Sequence, residues 1–223
     1  MAALTDRPGM NGCAAASAPR TLVLGIGNVL WADEGFGVRA VERLHEEWEM
    51  PAGVTLMDGG TQGLYLLHHI EACEALIVFD AVDYGLAPGE MRLVGDDEVP
   101  AFLGVKKMSL HQTGFQEVIA TARLKGWEPR RMLLIGVQPE ELEDYGGGLR
   151  PVVAARLEEA VACAVEELRR LGHAPQRRAG RPQQPLSAPA ITRQSYEAGR
   201  PSAEDACRFG DARFLALVSG GKG

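Results

Sequence analysis

The chain has 223 residues, 46% hydrophobic and 24% charged, with a formal net charge of −7. That mix excludes a wholly disordered, collagen-like or disulfide-scaffold chain, and a core of this size needs neither disulfide nor metal to fold. The charge is uneven: residues 1–172 carry 15 Lys and Arg against 26 Asp and Glu, whereas residues 173–223 carry 8 against 4. An acidic body argues against nucleic acid as the main partner, because phosphate binding needs clustered Lys and Arg. It does not oppose a cationic or metal-bearing partner. No apolar run reaches the ~18 residues of a membrane-spanning helix. The four cysteines, Cys13, Cys73, Cys163 and Cys207, form no CxxC pair. Scattered thiols of this kind suit a reducing cytoplasm.

Residues 1–20 are small and polar, with no basic start leading into an apolar stretch, and read as a loose lead-in rather than a secretory signal. TLVLGIG (21–27) is a buried parallel strand ending in glycine. From Asp33 a helical pattern sets in, with Val38, Val41 and Leu44 on its apolar face, and Pro51 and Gly53 end it. VTLMD (54–58) is a second strand, GGTQG (59–63) a loop and 64–72 a helix. ALIVFDAV (75–82) is the most apolar run and reads as the central strand; EMRLVG (90–95) is a weaker one. HQTGFQEVIATARLKG (111–126) predicts an amphipathic helix, RRMLLIGVQP (130–139) a buried strand, and 150–171 a last helix with Pro151 in its first turn. Strands alternating with helices imply one three-layer α/β domain over residues 21–172, with a mostly parallel sheet covered on both faces. Residues 173–223, rich in Pro, Arg and Gln, cannot bury enough surface to offset their ordering entropy and read as a flexible basic tail, with RFLALV (213–218) as a short docking stretch.

In such a sheet the polar residues at strand ends are the place to look for chemistry. Gly25 and Gly27 invite a dinucleotide reading, but Leu30 stands at the third glycine position, and a tight strand exit explains both glycines. Asp33 reads first as a helix N-cap. Glu34 sits in the first helical turn, where the helix dipole favours a carboxylate, functional or not. Asp80 ends a strongly apolar strand; a buried carboxylate there must be paired, hydrogen-bonded or metal-bound. Asp83 reads as a turn residue. His111 opens a helix, as a capping residue or as a ligand. Two carboxylates and one imidazole at such positions suit a divalent ion with coordination places left open. His45-Glu46 fails as a zinc-protease helix because residue 49 is Glu; no GxSxG elbow and no phosphate loop is present.

Five blocks together carry a family signature: GIGNVLWADEGFGVRAVERL (25–44), MDGGTQG (57–63), VFDAVDYG (78–85), SLHQTGF (109–115) and LIGVQPE (134–140). In this order they closely resemble the maturation endopeptidases of [NiFe] hydrogenases, over about residues 21–171. The resemblance implies a five-stranded twisted sheet between helices. It implies a cytoplasmic, aspartic-type endopeptidase making one cut near the C-terminus of the hydrogenase large-subunit precursor after nickel insertion. The nickel is carried by that substrate, and other divalent ions can occupy the site in vitro. Carried over block by block, the metal-contacting and catalytic residues fall on Glu34, Asp80 and His111. The substrate-recognition loop falls on Asp58, Gly59, Gly60 and Thr61, where Asp58 reads equally as a turn carboxylate. A non-enzymatic metallochaperone or scaffold using the same three residues remains the competing reading, and the resemblance is silent on 1–20 and 173–223.

Overall fold

The computed structural model describes residues 18–99 and 110–199, the side chains of 110–113 excepted. Two wholly buried apolar runs, β1 (Thr21–Ile26) and β4 (Ala75–Ala81), lie side by side in parallel at the middle of a five-stranded sheet. β3 (Val54–Gly60) pairs with β1 on one side; β6 (Arg131–Val137) continues from β4 on the other, and β5 (Met91–Gly95) closes that edge. All pairings are parallel except β5 on β6, so the mostly parallel reading holds and the weak fourth strand proves to be the antiparallel one.

The pleat sends alternate side chains of β1 to opposite faces. Leu22, Leu24 and Ile26 join Leu76, Val78 and Leu134 under α2 (Leu67–Ala72) and α3 (Leu110–Leu124). Val23 joins Ile77, Phe79 and Ile135 under α1 (Phe36–Glu47) and the long helix Leu157–Arg170. The result is the expected three layers, with apolar burial on both faces as the main driving force. From β1 the chain crosses through α1 to β3, and from β3 through α2 to β4 on β1's other flank. The strand order thus reverses beside β1, and the crevice at the carboxyl ends of β1 and β4 is the switch point where open α/β sheets bind ligands.

Three local differences from the sequence reading matter. The helix expected from Asp33 begins as a 3₁₀ turn, Ala32–Gly35, with α1 starting only at Phe36; Ala32 holds a left-handed φ of 34°. The helix expected over 150–171 is two, α4 (Pro151–Ala154) and α5 (Leu157–Arg170), because Arg156 bonds the Val153 carbonyl and tightens the turn between them. The expected flexible tail is partly laid against the body. β7 (Gln176–Arg177) pairs antiparallel with β2 (Trp48–Glu49). The strap then runs back along α1: Arg178 N donates to the Glu47 carbonyl, His45 Nε2 meets the Gln184 carbonyl at 2.9 Å, and buried Arg39 donates to the Ile191 carbonyl at 2.7 Å. The strap ends in α6 (Arg193–Ala198), whose Tyr196 ring lies 5.7 Å from the Arg39 guanidinium. RFLALV lies outside the described residues.

Candidate active site

The start of α1 closes on the strand ends because glycines let it. A Cβ on Gly37 would overlap the carbonyl oxygens of Ile26 and Phe79, and one on Gly27, whose φ is 134°, would overlap the carbonyl oxygen of Glu34. The Gly-x-Gly of the β1 exit is therefore filled by the chain's own 3₁₀ turn, and no dinucleotide loop is formed there. Glu34 is brought beside the end of β1, and the turn that carries it packs against β4, where Asp80 stands one residue beyond Phe79. Gly27 N donates to the Gly60 carbonyl at 3.0 Å, which lengthens the β1–β3 ladder past Asp58 and makes Gly59 and Gly60 part of β3 rather than of a loop. The register slips there, Gly25 facing Asp58 and Ile26 facing Gly60, so Gly59 is the extra residue of a bulge. A Cβ on Gly59 would come within 2.7 Å of Leu24. Beyond exposed Thr61, Gly63 lies against Gly114 of α3, and His111 stands one helical turn before Gly114. The main chain thus brings Glu34, Asp58, Asp80 and His111 to one edge of the sheet. The His111 side chain lies outside the described residues, and among the described side chains no group of three His, Cys, Asp or Glu is gathered to hold a metal ion.

The two central carboxylates sit in different surroundings. Glu34 is half-buried, and burial pushes its pKa up to about 7, since a charged carboxyl loses water there. Asp80 is fully buried on the α2/α3 face of β4. Tyr84, in the loop after β4, lies with its ring over Gly136 of β6, and its phenol is pushed well up, first by burial and then by the charge of Asp80. A buried carboxyl at a strand end needs hydrogen bonds, a paired charge or a cation to offset its lost water.

Two residues that the sequence reading did not place in the site hold its loops. Asp33 is not an N-cap. Fully buried, it accepts the amides of Glu140 and Glu141 on Oδ2, both at 2.9 Å, and that of Arg150 on Oδ1 at 2.7 Å, while its own amide donates to the Glu141 carbonyl. It clamps the loop after β6 onto the turn bearing Glu34. Gln138, at the end of β6, accepts the amides of Tyr84 and Leu86 and donates to Asp83, pinning the loop after β4. Asp83 also accepts the Gly85 amide, the turn role expected for it. Gln138 was findable by the signal that marked Asp80, a polar residue ending an apolar strand. Asp33 was not, because its partners are main-chain amides distant in sequence.

A five-stranded, mostly parallel sheet with helices on both faces and carboxylates at the ends of its inner strands defines a single three-layer α/β domain, and related proteins place it in a family. A family model for hydrogenase maturation proteases (HycI) matches residues 38–167, a span that holds Asp58, Asp80 and His111 and starts four residues after Glu34. The chain is 62% identical over 196 residues to the hydrogenase expression/formation protein HupD of Rhodobacter capsulatus, covering 88% of this chain and 93% of that protein. It is 43% identical over 154 residues to the hydrogenase 2 maturation protease of Escherichia coli, covering 69% and 93%. The solved structure of the hydrogenase maturating endopeptidase HybD from E. coli superposes with a TM-score of 0.68 at 40% identity, over 72% of this chain and 98% of that one. The chain belongs to the hydrogenase maturation protease family, a family of peptidases.

Proposed function

We propose that this chain is the endopeptidase that removes the C-terminal extension of a [NiFe] hydrogenase large-subunit precursor once nickel has been inserted. The observation that carries the reading is the delivery of Glu34 and Asp80 to the switch point of the sheet, with His111 on the adjoining helix start. In this reading the nickel arrives with the substrate, and Glu34, Asp80 and His111 face it. Asp58, Gly59, Gly60 and Thr61 receive the substrate's main chain beside the bulge, where the glycines allow close approach. Raising the Glu34 pKa is the cost of holding a carboxyl out of water, and a cation relieves it. The nickel-loaded precursor therefore gains affinity over the empty one, about tenfold for each ~1.4 kcal/mol of difference. The domain thus reads the metal as a checkpoint.

A bound divalent ion supplies carbonyl polarisation or an activated water. The chain's own part is to present Glu34 and Asp80 to that ion, and a carboxylate not fully engaged with it takes the proton at the cut. Among the described residues no helix is long and apolar enough to cross a membrane. The test mixes purified protein with nickel-loaded and nickel-free precursor and follows intact mass. A shortened product only from the loaded form is expected. Equal shortening of both forms refutes the checkpoint, and an unchanged mass in both favours a scaffold or metallochaperone that recognises the same centre.

A further inference from the structure

Six large apolar side chains stand exposed among the described residues: Leu30, Leu64, Tyr65, Leu93, Leu124 and Tyr145. Leu93 lies on the outer strand β5 and Leu124 at the far end of α3. The other four stand at the carboxyl edge, Leu30 and Tyr145 in loops and Leu64 and Tyr65 in the 3₁₀ turn Gly63–Leu66, and apolar side chains grouped in one patch mark a binding surface. Leu64 and Tyr65 follow the Asp58–Thr61 segment. Leu30 and Tyr145 stand together on the other side, and the fold is built to hold them there.

The construction around Tyr145 is the informative part. Gly146 N donates to the Leu30 carbonyl at 2.7 Å, and Trp31 and Tyr145 form an isolated antiparallel bridge. Their rings meet edge to face, centroids 5.2 Å apart at 66°. The buried Asp144 carboxylate takes the Arg150 guanidinium at 2.9 Å, and a Cβ on Gly147 would come within 2.6 Å of that carboxylate. Asp33 fixes the same loop through three amides. All this buried polar bonding leaves Tyr145 61% and Leu30 37% exposed, and neither belongs to either core cluster. An aromatic held in place on one side and left largely exposed outside both core clusters is the anatomy of a recognition hot spot. Trp31 is three residues from Glu34, and the Glu34 amide donates to the Trp31 carbonyl at 2.9 Å, so the platform adjoins the turn that carries Glu34. A second copy seated here would cover that turn. The same loop exposes Glu140 and Glu143, so an acidic segment is repelled and a neutral or basic one is accepted.

We propose that Leu30, Trp31 and Tyr145 form a platform that grips an apolar, non-acidic segment of the client polypeptide beside the bond to be cut. The proposal rests on the endopeptidase reading. Its test measures initial rates against concentration of nickel-loaded large-subunit precursor for the wild type, Tyr145→Ser, Leu30→Ser/Tyr145→Ser, Tyr145→Phe and the distant control Leu124→Ser. The double variant raises KM about tenfold with kcat held within about twofold, the mark of lost uniform binding. Leu124→Ser follows the wild type, and Tyr145→Phe, which keeps the ring, raises KM less than Tyr145→Ser. If the double variant melts early, Tyr145→Ser alone is read, and its KM rises about threefold or more. An unchanged KM in the serine variants overturns the platform, as does a fall in kcat at constant KM. Tyr145→Phe as damaging as Tyr145→Ser overturns its apolar character. A wild-type dimer that the double variant splits into monomers reassigns the surface to a second copy. Wild-type protein that leaves the precursor uncut sinks the endopeptidase reading and the platform with it; failure of the platform alone leaves wild-type turnover intact.

Discussion

The loops at the carboxyl edge and the strap across α1 are both poor in buried apolar side chains, yet they are held in opposite ways. At the carboxyl edge buried Asp33 and Gln138 bond main-chain amides, which have one position each and do not swing. On the strap, arginine side chains do most of the work. Arg177 and Arg178 pair with Glu47 and Glu49, and Arg177 with Arg169 flanks the Trp48 ring. Ion pairs of that kind contribute about 0–1 kcal/mol each and tolerate replacement. The contrast teaches where the fold requires accuracy. Bonds to buried main chain fix the loops around the turn that bears Glu34, and surface charge adds a weaker hold to a strap that Arg39 anchors.

The sharpest break of that contrast is Asp33→Ala. It leaves three buried amides without an acceptor, at about 1–3 kcal/mol each before relaxation. We expect a loss of more than ~3 kcal/mol in urea unfolding, a melting temperature lower by roughly 10 °C, and no measurable cleavage. Second comes Glu34→Gln, which separates chemistry from stability. Cleavage falls by at least about a hundredfold, while melting at neutral pH does not fall. The pH dependence fixes the sign. The folded Glu34 carboxyl titrates about 7 against an ordinary value of 4.5, so between those values the folded state holds the proton longer than the unfolded one. Stability therefore declines as pH rises through that window and flattens above it. Thermal scans from pH 4 to 8 should show this decline in the wild type and a flatter profile in Glu34→Gln. Cleavage should weaken as pH falls below about 7, where the proton competes with the metal.

Smaller effects belong to the strap. Arg39→Ala, which strips a buried partner from Glu42 and the Ile191 carbonyl, is expected to cost about 2–4 kcal/mol. The same change in a chain ending at Ala174 should cost less than about 1 kcal/mol, because Glu42 then meets water. Equal costs in the two backgrounds would show that the strap does not bury the pair. Truncation at Ala174 by itself should lower the melting temperature by only a few degrees, roughly 1–2 kcal/mol, and leave cleavage within about threefold of the full chain.

These regions also differ in how far the amino-acid sequence exposes them. The layers were legible because β1 and β4 are unbroken apolar runs and α1 and α5 carry apolar stripes at helical spacing. The antiparallel sense of β5 was not, because a short half-exposed strand carries no mark of direction. Asp80 was legible as a carboxylate at the end of an apolar strand. The position of Glu34 beside β1 was only half legible, since it depends on glycines whose neighbours come from other strands. Asp33 offers a local explanation, capping, that competes with the true long-range one. The strap was misread because Pro, Arg and Gln bury little area, and its hold comes from carbonyls and guanidinium groups that composition does not weigh.

The reach of the Asp33 clamp has a consequence for synthesis. Its three amide partners lie 107, 108 and 117 residues downstream, and β1, an inner strand of the sheet, is the first to leave the ribosome. A nascent chain that has already made Glu34 still lacks the segment that locks its turn. That turn is therefore expected to stay unfastened until the segment around Arg150 has emerged, so this edge of the domain is completed only near the end of its synthesis.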